Sequence, residues 1–87
     1  MKHPVQPQAP LPGTWLQVSR LDKVIRHDLA LGDKLYFRMR SPIGLFGCYA
    51  PKLRRLFWID PANVHVVTDG ATTHTLEQEI PAIYRVH

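Results

Sequence analysis

Disulfides are the first thing this sequence lacks, since Cys48 is its only cysteine and cannot form an internal bridge. An unpaired thiol suits a reducing compartment, and the cytoplasm is the expected location. Long apolar runs are missing too. A bilayer-spanning helix needs about 20 apolar residues, whereas the uncharged stretch from Ser41 to Pro51 is broken by two prolines and two glycines, so no membrane segment is expected. The chain starts with Lys2 and His3 followed by Pro4, Pro7, Pro10 and Pro12, without the apolar core of a secretory signal, and no export is expected. Acidic residues are scarce, seven against eleven Lys and Arg. The shortage is local, because no Asp or Glu falls between Lys34 and Ile59.

Recognisable catalytic apparatus is also missing. Asp22, Asp28, Asp33, Glu77 and Glu79 form no carboxylate pair with catalytic spacing, and no Gly-rich loop could cradle a phosphate. Cys48, between Gly47 and Tyr49, reads as a small buried hydrophobe, not as a nucleophile with a base beside it. An 87-residue chain buries only about 60 to 65% of its unfolded surface, which leaves little room for a closed pocket. The reading is a non-catalytic protein with no cofactor and no metal.

What is present organises into a tail and one domain. Residues 1–13 hold four of the eight prolines and read as a disordered proline-rich tail, with 14–87 as a single α+β domain. Ser19 and Asp22 have capping-box spacing. With Leu21, Val24, Ile25 and Leu29 at helical intervals and Gly32 placed to terminate them, they predict a short helix from Arg20 to Leu31. From Lys34 the period becomes two: Leu35, Phe37 and Met39 alternate with Lys34, Tyr36, Arg38 and Arg40 in a half-buried strand. Leu56 to Ile59 is a second β-prone run ended by Asp60 and Pro61. Asp69-Gly70 predicts a hairpin turn between 63–68 and 71–76, and Ile80 to Val86, around Pro81, predicts a short edge strand. The expected fold is α+β: one short helix with a small, strongly bent, mainly antiparallel sheet of four to six strands, such as a partly open barrel.

The segment Ile25 to Phe37, with its Gly32-Asp33 turn, resembles the helix, turn and strand of AbrB-type swapped-hairpin DNA-binding domains. That resemblance implies a dimeric regulator and transfers no residue roles.

The surplus positive charge lies in the acid-free segment, on Lys34, Arg38, Arg40, Lys52, Arg54 and Arg55. Strand alternation would set Lys34, Tyr36, Arg38 and Arg40 on one solvent face opposite the core. Such a face can neutralise phosphates, while Tyr36, with Tyr49 and Trp58 as further candidates, stacks on unpaired bases. The expected partner is therefore nucleic acid, contacted by a small regulator or accessory factor. Arg and aromatic residues are equally the anchors of protein interfaces. The alternative is thus an adaptor or inhibitor whose same surface meets an acidic protein, and a homodimer would double either surface. His65 and His74, which a two-residue Asp69-Gly70 turn would set opposite each other, are read as surface histidines, because no third ligand is spaced to complete a metal site.

Overall fold

The computed structural model describes residues 10–23, 25–67, 78 and 80–85. Its strands are β1 (Trp15–Val18), β2 (Lys34–Arg40), β3 (Phe46–Ala50), β4 (Arg55–Ile59) and β5 (Val64–Val66). They form one antiparallel sheet in the order β4-β3-β2-β1-β5. Aromatic and β-branched residues recur in these segments because they pack well on a pleated surface. Asp60 ends β4: its carboxylate accepts the Ala62 N–H at 2.9 Å and caps a 3₁₀ turn over Pro61–Asn63, which feeds directly into β5.

That short connection makes the sheet curl. The edge strands β4 and β5 stand four strand spacings apart, about 19 Å if the sheet were flat. Residues 60–63 contain a 3₁₀ turn rising only about 2 Å per residue, too little to bridge a flat sheet. Curling brings the end of β4 near the start of β5, and the sheet stays open, with no ladder joining β4 to β5 among the described residues.

Both faces of the curled sheet are packed. Alternation sends Leu16, Val18, Leu35, Phe37, Phe46, Cys48, Phe57 and Ile59 to the inner face, where Ile25 and Leu29 from the β1–β2 connection close over them. On the outer face Trp15, Tyr36 and Tyr49 form a second cluster under Ile80, with Leu56 and Tyr84 against it. Tyr84 stacks on Tyr49 at 4.8 Å and 18°, and Trp15 meets Tyr36 edge-on at 5.3 Å.

Three expectations need correcting or placing. No α-helix forms over 20–31 among the described residues. Single turns are closed instead by Arg26 N–H to Asp22 C=O and Leu29 N–H to Ile25 C=O. The ladder stops because side chains take its backbone donors: the Asp22 carboxylate accepts the Ile25 N–H, and the Asp33 carboxylate accepts the Ala30 N–H at 2.8 Å. Asp22 is also drawn across to Asn63, whose buried amide donates to it at 2.8 Å. Near the chain end, Ala82–Tyr84 is a 3₁₀ turn and not an edge strand. Pro81 supplies no ladder donor, and the Arg85 guanidinium takes the carbonyls of Ile80 and Gln78 at 2.8 and 3.1 Å. Finally, Asp69-Gly70, His74 and residues 1–9 lie outside the described residues. Gly13, at φ 92°, already donates its N–H to the Phe37 carbonyl at 2.8 Å.

Candidate binding surface

The basic face expected on β2 depends on an unbroken period of two, and the strand breaks that period twice. Tyr36 is only 1% exposed, since the outer face is covered at this point by Trp15 and Ile80. It is therefore closed to a stacking base. The second break is a bulge, with Phe37 pairing with Cys48 and Met39 with Gly47, so that Arg38 and Met39 together oppose one residue. Beyond it the parity reverses. Met39, expected in the core with Leu35 and Phe37, emerges on the outer face, while Arg40, opposite Phe46, is exposed at the rim of the other face.

The remaining cations divide between the two ends of the sheet. Lys34 is half-buried opposite Gln17. Lys52 reaches across to the Asp33 carboxylate at 3.2 Å, an ion pair of small energetic weight at such exposure. Arg54 and Arg55 are exposed at the β3–β4 turn, where Arg54 holds φ 55° and the Arg55 guanidinium lies 5.3 Å from the Phe57 ring centroid. Arg38 and Arg40 stand at the far end, separated from these by the length of β3, about 13 Å at 3.3 Å per residue.

One aromatic residue remains in solvent beside a basic group. Trp58 is opposite Gly47, and because Gly47 has no side chain the indole lies across the β3 backbone. A Cβ placed on Gly47 would sit 2.8 Å from Trp58 Cζ3 and 3.2 Å from Met39 Cγ. Trp58 is 47% exposed and Met39 46%, and Arg38 shares their row through the bulge. Tyr49, the other stacking candidate, is buried under Tyr84. On its other side Trp58 borders a hollow of about 240 Å³ lined by Ile25, Leu45 and Ile59, with Asp22 and Asp60 at its rim. Sequence reasoning ranked Trp58 behind Tyr36. The missed signal is the pairing of Gly47 with a tryptophan, legible only once the β3–β4 register is known.

Cys48 is buried, and desolvation pushes its thiol up from 9.0 to about 12, so almost no thiolate exists near neutral pH. His65 is exposed on β5, opposite Gln17. Among the described residues no group of three or more His, Cys, Asp or Glu gathers to hold a metal, and no helix is long and apolar enough to cross a membrane. In comparisons with known proteins, no family model, curated protein or solved structure matches this chain.

Proposed function

We propose that this chain is a non-catalytic binding domain of a regulator or accessory factor that contacts single-stranded nucleic acid through Trp58, Arg38 and Arg40, with Arg54 and Arg55 as a second phosphate contact. The observation that carries this reading is the exposed Trp58 indole packed against Gly47 in the same row as Arg38. A base can stack on its free side at about 1 to 3 kcal/mol, and such stacking is indifferent to sequence. The two arginine groups lie far enough apart to hold different phosphates of one strand. Tyr36 has no part in this surface, and Lys34 and Lys52 contribute charge only at its margin.

Titration of an oligothymidylate into the protein at low salt, followed by tryptophan emission, tests this. Trp15 is buried, so quenching on binding reports Trp58. Affinity should fall with salt at a slope of roughly 0.7 per phosphate neutralised, and Arg38→Ala with Arg40→Ala should lower that slope by about 1.4. Absence of binding at low ionic strength sinks the nucleic-acid reading. The adaptor reading would then lead. It has its own support in the apolar hollow beside Trp58, whose Asp22 and Asp60 rim favours a basic peptide over a phosphate chain.

A further inference from the structure

β4 is an edge strand, and the direction of its backbone groups follows from the ladder. Phe37 donates its N–H to Thr14 at 2.9 Å and accepts from Gly13 at 2.8 Å, so its polar groups face β1. Direction alternates residue by residue in an antiparallel sheet. Tyr36 therefore faces Tyr49 on β3, Cys48 faces β4, and Phe57 faces back to Cys48. This leaves the N–H and C=O groups of Leu56 and Trp58 pointing out of the sheet, with no partner among the described residues. Bare edges are templates for further pairing, and proteins usually guard them with proline, bulges or central charges. The run Leu56 to Ile59 carries none of these, and its pairing with β3 is regular.

We infer that β4 pairs with β4 of a second copy of this chain, antiparallel, about a two-fold axis through Phe57. Centring on Phe57 sets Leu56 opposite the partner's Trp58 and Trp58 opposite the partner's Leu56. Both outward-facing residues are then matched twice, and the ladder gains four hydrogen bonds. The same register brings Arg54, at one end of the strand, against the partner's Asp60 at the other, and by symmetry the pair occurs twice. Centring on Leu56 would set Arg54 against the partner's Trp58, and centring on Trp58 would set Asp60 against the partner's Leu56. Neither matches Arg54 to Asp60. On the outer face Leu56 and Trp58 of the two copies become cross-strand neighbours, the contact that stabilises sheets. Half-buried Arg38 and exposed Arg40 both lie outside the paired edge, and the pairing does not depend on nucleic-acid binding.

Sedimentation equilibrium of the full chain across micromolar to millimolar concentration tests this inference. The expected mass at high concentration is twice the 10.0 kDa of the chain. Trp58→Pro removes an N–H that faces away from β3 and should abolish the dimer while the β-type circular dichroism is kept. Arg54→Asp, tolerated at a left-handed position, should weaken dimerisation about tenfold, and Asp60→Arg in the same chain should restore it. A wild-type mass that stays at one chain throughout overturns the inference. So does a dimer indifferent to Arg54→Asp, because it would be built elsewhere. Should Trp58→Pro fail to fold, the charge swap alone decides.

Discussion

Two tryptophans stand on the same outer face of the same sheet, and their fates differ. Trp15 is 5% exposed beneath Ile80, against Tyr36, whereas Trp58 is 47% exposed beside Gly47. Strand alternation gives both residues the same orientation. What separates them is the chain end: residues 80–84 return across β1, β2 and β3 but stop short of the row holding Met39, Gly47 and Trp58. One half of the face thus becomes a second core, and the other stays bare as a surface. An exposed aromatic on a face whose other half is covered is a feature that needs a reason, and binding supplies one.

Truncating the two tryptophans breaks that comparison most directly. Trp15→Ala should cost about 3 to 5 kcal/mol by urea denaturation, the usual range for a buried Trp, while Trp58→Ala should stay within about 0.5 kcal/mol, as exposed substitutions do. Equal losses would mean that the outer face is uniformly buried. Trp15 adds a refinement, because its Nε1–H is buried without a hydrogen-bond partner among the described residues. An unmet donor costs about 1 to 3 kcal/mol, so Trp15→Phe, which keeps a ring and removes the donor, should recover much of the loss.

Cys48 sharpens the contrast from the inner face, one residue along β3 from Gly47. Burial raises its thiol from 9.0 to about 12, so folding favours the protonated form. Above pH 9 the unfolded chain loses this proton first and binds fewer protons than the folded one. The contribution is whole below pH 9, and stability then falls with rising pH through the window up to about pH 12. Other groups titrate there as well, so the measurement is the difference in slope between wild type and Cys48→Ala. The extra loss in wild type should reach a few kcal/mol at most, and parallel slopes would place the thiol in contact with water.

How much of this was legible beforehand depends on the range of the interactions involved. The strand from Lys34 to Arg40 and the stop at Asp60-Pro61 were local, set by period and turn chemistry, and they stand as expected. The inward positions of Leu35 and Phe37 were equally readable. Tyr36 was not, because its burial comes from Ile80, more than forty residues away in the chain, and a period of two cannot say that both faces are covered. Met39 was lost to a bulge that no single-strand pattern marks. The helix over 20–31 failed for a similar reason: Asp22, read locally as part of a capping box, and Asp33 are used as clasps to Ile25, Asn63 and Ala30. Of the candidate surface, the cations were identified from charge alone, but their separation into two groups and the prominence of Trp58 required the register.

Gly47→Ala gives the smallest expected effect and the most specific one. Gly47 does not have a positive φ, so alanine meets no backbone strain and should gain about 0.5 to 1 kcal/mol from a stiffer unfolded chain. Against that, its methyl would lie 2.8 and 3.0 Å from two carbons of the Trp58 ring and 3.2 Å from Met39 Cγ, closer than packed carbons tolerate. Both neighbours are half exposed and can swing away, so the clash should be relieved by motion of the indole and not by unfolding. The net change in stability should therefore stay within about 1 kcal/mol, below the 1 to 3 kcal/mol of overpacking in a closed core. The indole itself should respond more. Lifted off the β3 backbone, Trp58 should emit further to the red and become more accessible to acrylamide, with Trp15 as an unchanged internal reference. Oligothymidylate affinity should fall with it if the seat on Gly47 is what presents the ring to a base. A stability loss above about 3 kcal/mol would show Trp58 to be locked in place, making the bare half of the face a core element like the covered one.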